Sequence, residues 1–533
     1  MKLNFHRVIP DYADYLKDES RLLGQAETIS FPVSEDEIRY TLSLLYSRET
    51  PVTVQGGRTG ITGGSVPEGG HILNLSRMTK ILGIRYNSLK NRYVLKIQPG
   101  VLLDNINNIL VSAKTDIKNW DRESLKVWEK FCRENRNVHF FFPPNPTETT
   151  ASAGGMAANN ASGSRSYLYG SVRSHIEGLR LILADGSAVA LKRGQNVAEG
   201  LKFNLKTDSG KLIRGELPNY VMPHIKNAAG LYAEKNMDLT DLFIGSEGTL
   251  AVITELELLI SPIPPVVWGF MVFLPDERGV IELVRSLRGE TDSANIFSEP
   301  AAIEYFDRNS LKLLENNNLQ NASFKRLPKV RLKDVCAVYT EFHVNSEKEM
   351  ENIAWSVIRL TEKAGGNSDE IWAASNPDEL KRLRDFRHAV PEMVNMAIEK
   401  RRQKIAGITK LGTDMAVPDA SLGTVMEMYN RDLNNLGFDY VKFGHIGNNH
   451  IHVNIIPESK DEYRTGKELH SEWAEKIVSM QGTVSAEHGI GKLKNGLLKI
   501  MYGEEGLKQM KKVKSLLDPK RLLNSGNDFD NLL

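Results

Sequence analysis

Glycine constrains this chain more than any other residue type. The 42 glycines are unevenly spread, and three clusters of them lie in the first half, at Gln55–Gly70 (QGGRTGITGGSVPEGG), Gly154–Gly170 (GGMAANNASGSRSYLYG) and the GSEG of Gly245–Gly248. Each group lies beside an apolar run of strand character: Val52–Val54, Tyr93–Ile97, Leu179–Leu183 and Leu250–Ile260. Glycine admits positive φ and lets backbone approach a ligand closely. Successive N–H groups in such a loop form a nest for anions. A strand entering Gln55–Gly64 is therefore suited to a diphosphate. Taken alone, that turn reads equally well as a flexible surface loop. No G-x-G-x-x-G follows an early strand and opens a helix, so a dinucleotide Rossmann unit is not indicated.

A chain of 533 residues exceeds what one hydrophobic core supports. Two or three domains are expected, with a break at Ser261–Pro265 (SPIPP), where prolines interrupt the pattern. Beyond it strand-like and helix-like runs alternate: Trp268–Leu274, Asp276–Arg288, Val335–His343 and Lys348–Ala364. This predicts a sheet with helices on one face. Glu462–Met480 and Leu497–Leu517 read as amphipathic helices. Segments 116–137 and 196–238 read as insertions.

Composition removes several functions. Basic and acidic residues nearly cancel, 68 against 67, so the basic excess of a nucleic-acid binder is missing. Two cysteines, Cys132 and Cys336, cannot supply the four thiolates of an iron–sulfur cubane. Their scarcity fits a reducing compartment. The first residues lack a signal-peptide core, and the longest apolar run, Val266–Leu274, is too short to span a bilayer. A soluble, cytoplasmic protein is expected, with peripheral contact to the inner membrane face left open.

The second half carries a different signal. FGHIGNNHIHVN (Phe443–Asn454) precedes SAEHGIG (Ser485–Gly491). His445, His450, His452, Glu487 and His488 offer imidazole and carboxylate donors suited to zinc or another first-row divalent ion. Ile451–Ile456 reads as a strand, which would turn His450, His452 and Asn454 to one face. A single histidine here would read as a satisfied polar core group; this grouping reads as a site.

Further segments join the glycine loops: FPPNP at Phe142–Pro146, Thr150–Gly155, NNASG at Asn159–Gly163, YGSVR at Tyr169–Arg173 and LFIGSEGTL at Leu242–Leu250. In order and spacing they resemble the PCMH-type FAD-binding domain of the vanillyl-alcohol-oxidase-type flavoproteins. The branch is that of D-lactate dehydrogenase, D-2-hydroxyglutarate dehydrogenase and the glycolate oxidase flavin subunit. The resemblance runs from about Phe31 to Asn527.

The resemblance implies an α+β protein: a PCMH-type domain of two α/β subdomains (1–264), a ferredoxin-like antiparallel-sheet cap that binds substrate (265–480), and a helical segment returning to the FAD domain (481–533). Gly56, Gly57, Arg58, Thr59, Gly60, Gly63 and Gly64 would cradle the FAD diphosphate. Pro143, Thr150, Gly154, Gly155, Ala158 and Asn160 would lie along the flavin and ribityl chain. Gly248, Ile253 and Asn524 complete the cofactor set. Arg58 stands where the family usually has a third glycine, and would either pair with a phosphate or face solvent. No histidine lies between Gln55 and Glu68, so the FAD is expected to be non-covalent.

The resemblance further implies a divalent ion, zinc first, on His445, His452 and Glu487. His488 would be the catalytic base and Asn454 would contact the substrate. Arg387, in DELKRLRDFRHAVPEMVN, would bind the substrate carboxylate, with Lys410 as a second candidate and Asp414 supporting its loop. The bland reading of Lys381, Arg382, Arg384 and Arg387 is a solvated helix face broken by Pro391. His450 departs from the family, which has asparagine there, and its part in the site is left open.

The expected reaction is oxidation of a small 2-hydroxy acid to the 2-oxo acid, with the hydride passing to flavin N5. The electrons would leave to a quinone, an electron-transfer protein or an iron–sulfur partner subunit. A homodimer is compatible with the sequence, which marks no interface. Three other readings remain. An alkylglycerone-phosphate-synthase-type transferase would keep the FAD loops without needing the histidine and glutamate set. A flavin electron-transfer subunit would need neither a substrate arginine nor a base. A metal hydrolase with structural glycine loops would be colourless.

Overall fold

The computed structural model describes residues 5–8, 10–144, 146–291, 298–318, 330, 335–405 and 407–527. Asn145 of the FPPNP run lies outside them.

The chain begins with a small α/β layer. Strands Thr28–Ser30 and Val52–Gln55 flank His71–Asn74, both parallel to it, and His6–Arg7 adds an antiparallel edge. Helix Glu35–Ser47 covers this sheet. Ser34 caps it by accepting the Glu37 N–H, and Ile38, Leu42 and Leu45 form its buried stripe, at helical spacing. That stripe packs on Ile182 and Val252 of the neighbouring sheet, which fastens the two layers together.

The neighbouring sheet is antiparallel, in the order Ile81–Asn87, Arg92–Ile97, Val252–Leu259, Ile176–Ile182, Ala188–Lys192. Val252–Leu259 is central although it is last in sequence. The GSEG turn therefore leads straight into the middle of the sheet. The charged stretch 116–137 forms helix Arg122–Glu134, whose Trp128 and Phe131 are buried. Phe131 meets Tyr93 edge-on at 5.3 Å between centroids.

Across Ser261–Pro265 the chain passes into a seven-stranded antiparallel sheet. Its order is Trp372–Ala374, Val266–Leu274, Cys336–Val344, Ala302–Phe306, Tyr440–Gly444, His452–Ile455, Leu411–Gly412. Helices cover both faces, not one as expected. Val272 and Leu274 share a core with helices Glu277–Leu287 and Glu347–Lys363. Met271 and Phe273 share another with helices Arg308–Asn318 and Pro377–Arg402. The signal was present in Val266–Leu274, which is apolar without alternation, as a strand buried on both sides must be.

Helix Pro377–Arg402 also runs unbroken through Pro391, where a break was expected. Proline removes the hydrogen bond to the carbonyl four residues back, here that of Arg387. Burial of Phe386, Ala389, Val390, Met393 and Val394 on one side outweighs that loss. The expected C-terminal helices are Lys460–Ser479 and Asn495–Leu517, the latter interrupted at Gly503 (φ 65°). The chain then returns to the first layer, where Leu523 bridges Val52.

Candidate active site

The glycine loops line one cleft of about 350 Å³, within the usual size of a small-molecule site. Strand Val52–Gln55 delivers the first loop. Gln55 Nε2 anchors it by donating to the Tyr15 and Ser65 carbonyls at 2.7 and 2.8 Å. Among the described residues, no protein acceptor takes the N–H groups of Thr59, Gly60 or Ile61, as an anion nest requires. A Cβ on Gly56 would sit 2.1 Å from Ser152 Oγ, and one on Gly57 2.7 Å from the Thr150 carbonyl. The loops are packed so closely that only glycine fits. Ser152 Oγ joins them by accepting the N–H groups of Gly57 at 3.1 Å and Gly155 at 3.3 Å.

Of the expected cofactor set, Gly56, Gly57, Arg58, Thr59, Gly60, Gly64, Gly154, Gly155, Ala158, Gly248, Ile253 and Asn524 line the cleft. Gly63, Pro143, Thr150 and Asn160 do not line it. Gly63 turns at φ 78° against Leu22. Thr150 bonds Glu148 instead. Asn160 caps helix Ala153–Asn159 in the left-handed region, and its side chain bonds the Arg173 N–H and the Asn227 carbonyl. The Arg58 guanidinium rests at the edge of the cleft. It lies over the Tyr15 ring at 4.4 Å and donates to the Asp14 carbonyl.

The same cleft is lined by His445, Glu487 and His488. Tight turns place them. His445 ends strand Tyr440–Gly444, a turn through Asn449 (φ 52°) reverses the chain, and His452 opens the next strand. Glu487 and His488 sit on a loop pinned from both sides. Asn159 Nδ2 donates to the Glu487 carbonyl at 2.8 Å. The Asp414 carboxylate accepts the His488 N–H at 3.0 Å and the Ser485 hydroxyl at 2.6 Å.

Glu487 is the centre of the cluster. Its carboxylate lies 3.2 Å from His445 Nε2, 3.4 Å from His452 Nε2, 3.4 Å from His488 Nε2 and 2.5 Å from Lys226 Nζ. Donor atoms of His445, His450, His452 and Glu487 fall within 4.8 Å of one another. The outer nitrogens are occupied: His445 Nδ1 meets Glu304 at 2.7 Å and His452 Nδ1 donates to the Thr413 carbonyl at 3.0 Å. Such partners fix the tautomer and turn the inner nitrogen toward an ion. The donor set thus fits a divalent metal.

Charge balance decides the ionisation of these groups. Burial would raise Glu487, but Lys226 and His445 hold it well below the usual carboxylate range. Burial likewise opposes ionisation of Asp414, which His488 and Lys494 overcome. Burial lowers His452. For His445 burial acts downward, and Glu304 with Glu487 outweighs it, to about 8.

Arg387 reaches this network rather than solvent. Its guanidinium is 3.7 Å from Glu304 and 2.8 Å from His388 Nε2, whereas Lys381 pairs outward with Asp385. Lys410 is half-buried, 3.3 Å from Asn395 Oδ1, and does not line the cleft. Asn454 is buried beside Gly412, 2.8 Å from where a Cβ there would stand.

Residues 271–527 match the family described as FAD linked oxidases, C-terminal domain. Residues 26–117 and 126–192 match the FAD binding domain. The chain belongs to the FAD-linked oxidases. The gap in the second match falls within the insertion at 116–137. This FAD-linked oxidase is 26% identical over 522 residues to D-lactate dehydrogenase of Anaerostipes hadrus, covering 96% of this chain and 92% of the relative. It is 25% identical over 514 residues to glycolate oxidase subunit GlcD of Bacillus subtilis (strain 168), covering 94% and 89%. It is 26% identical over 507 residues to D-2-hydroxyglutarate dehydrogenase of Xanthomonas citri pv. viticola, covering 94% and 89%. A solved alkyldihydroxyacetonephosphate synthase shares the fold, with TM-score 0.57 at 15% identity over 95% of this chain and 76% of that one.

Sequence reasoning assigned no role to Lys226, Ser152, Glu247 or Glu304. Glu247 stood in a quoted motif. Lys226 gave no signal, since it lies in a weakly patterned stretch that reads as an insertion. That stretch is anchored by Ala228, whose N–H donates to the Ser485 carbonyl at 2.8 Å, and so carries the lysine to Glu487.

Proposed function

We propose that this protein oxidises a small 2-hydroxy acid to the 2-oxo acid with non-covalent FAD. One observation carries the reading: the histidine and glutamate cluster opens into the cleft lined by the glycine loops. A group oxidised at the cluster would lie beside a flavin held by Gly56, Gly57, Thr59, Gly60, Gly154 and Gly155. The relatives named for D-lactate, D-2-hydroxyglutarate and glycolate support the substrate class. The synthase likeness supports the fold only, and a transferase would leave the cluster without a task.

When bound, FAD supplies the hydride acceptor, and a divalent ion on His445, His452 and Glu487, zinc first, supplies a Lewis acid for the substrate hydroxyl. The chain's own groups do the rest. His488 takes the hydroxyl proton on an imidazole nitrogen. Its Nδ1 is 3.4 Å from Asp414 Oδ1, which orients the ring. Arg387, beside the cluster through Glu304, would hold the substrate carboxylate through its planar fork, with Asn454 a further substrate contact and Lys410, outside the cleft lining, the second candidate cation.

Among the described residues no helix is long and apolar enough to cross a membrane. A cytoplasmic location, the acceptor classes above and a dimer belong to the proposal and do not alter the chemistry. The test is an anaerobic absorbance spectrum before and after addition of D- and L-2-hydroxy acids. Bleaching of a yellow protein by one acid supports the reading and names the substrate. A yellow protein that no acid bleaches removes the dehydrogenase.

A further inference from the structure

His450 stands where the resembling family carries asparagine, and its surroundings give the difference a purpose. The ring is fully buried, with centroids 5.4 Å from His445 and 4.3 Å from His452. Its Nε2 is 3.0 Å from Asp414 Oδ1. Asp414 also takes Lys494 Nζ at 2.6 Å; its carboxylate stays anionic beside Nε2, and its field favours the ring proton there although the two atoms are not aligned as a hydrogen bond. The lone pair is then on Nδ1. That atom faces the cluster, 3.4 Å from Lys226 Nζ and 4.0 Å from Glu487 Oε2.

His450 thus repeats the arrangement of its two neighbours. Each ring has its outer nitrogen beside a protein acceptor: Glu304 for His445, Thr413 for His452 and Asp414 for His450. Each turns its inner nitrogen toward Glu487. A histidine serving only as a polar core group needs its partners satisfied. It does not need its lone pair directed at two other imidazoles and a carboxylate. Lone pairs converging in this way repel unless a cation stands between them, and Lys226 Nζ touches both Glu487 and His450.

We propose that His450 Nδ1 is a fourth protein ligand, making a three-histidine, one-carboxylate cage for a single first-row divalent ion, and that Lys226 yields its place to that ion. The inference rests on the metal reading above and deepens it. Imidazole and carboxylate together suit borderline ions such as Zn²⁺ or Co²⁺. A substrate oxygen would then enter as a fifth donor, an expansion such sites tolerate.

The test uses the full chain with FAD bound, stripped by a chelator and titrated with Co²⁺. Affinity is read by calorimetry and geometry by the visible d–d bands. The wild type is expected to bind one ion per chain. His450→Asn, the residue the family carries, is expected to weaken binding by about 100-fold, at the upper end of what a lost supporting partner costs, and to shift the bands. Lys226→Met is expected to bind at least as tightly as the wild type. A yellow His450→Asn protein with unchanged affinity and bands overturns the fourth ligand and leaves the three-ligand reading standing. If the wild type and His445→Asn alike bind no Co²⁺, the metal reading itself falls, and this inference with it.

Discussion

Glu247 and Gly491 are joined across the molecule: Glu247 Oε2 accepts the Gly491 N–H at 2.8 Å, while Oε1 accepts that of Ile490 at 2.6 Å. One carboxylate therefore ties the GSEG turn of the cofactor cleft to the loop that carries Glu487 and His488. Glu247 itself adopts φ 51°, a conformation that costs a non-glycine residue on the order of 1 kcal/mol. Two charge-assisted hydrogen bonds offset it. The cofactor half and the chemical half are thus held in register by a strained residue.

Glu247→Ala is expected to lower stability by about 2 kcal/mol, the scale of lost hydrogen bonds to a buried charge, and to loosen the His488 loop. Denaturant unfolding and the rate of flavin loss on dilution measure the two effects. If stability falls but flavin is retained as in the wild type, the tie holds the fold and not the cleft.

Gly57→Val should give a colourless protein. A Cβ at this position meets the Thr150 carbonyl at 2.7 Å, and that carbonyl belongs to backbone that cannot turn aside. The absorbance of the purified variant decides the matter, with circular dichroism showing that the fold survives. A yellow variant would contradict the loop assignment.

His488→Ala is expected to remain yellow and to lose flavin reduction by about 10²–10⁴-fold, the usual contribution of a positioned base. Anaerobic stopped-flow reduction measures it. Reduction at the wild-type rate would remove His488 from the proton transfer.

Arg387→Lys keeps the charge and loses the fork. KM for the 2-hydroxy acid is expected to rise about tenfold, with a smaller change in kcat, because a point charge cannot make the paired contact. Steady-state kinetics separate the two constants. An unchanged KM would return Arg387 to a supporting role beside Glu304.

Stability should fall with acid in part through His71. Thr28 Oγ1 and Ser30 Oγ sit 2.8 and 2.7 Å from its two ring nitrogens, and burial pushes its pKa down to about 3 from 6.5. Between those values the unfolded chain binds a proton that the folded chain does not. Stability present above pH 6.5 is therefore lost progressively as pH falls toward 3. Melting temperatures at pH 7.5 and 5.5 should differ more for the wild type than for His71→Gln. An equal fall in both would place the acid sensitivity elsewhere, for example at His388 and His470, whose pKa values are also lowered, to about 4.

The sequence by itself determined the parts whose chemistry is local. Close-packed backbone at Gly56, Gly57 and Gly154 admits only glycine, so the cofactor loops are written in composition and spacing. His445, His452 and the Glu487–His488 pair lie on short turns whose reach is fixed by a few dihedrals. The strand at Leu250–Ile260 and the alternation of strands and helices beyond Pro265 were legible from the periodicity, whereas the central place of that strand in its sheet was not.

Only the tertiary structure decided which side chains share one space. Strands distant in sequence bring Glu304 beneath His445 and Arg387, and an unpatterned loop delivers Lys226 to Glu487. Arg58 stacks on Tyr15 because the N-terminal segment packs there, and helix Pro377–Arg402 outlasted Pro391 because one whole side of it is buried. Electrostatics and packing act through distance in space, and for these residues distance along the chain carries no trace of it.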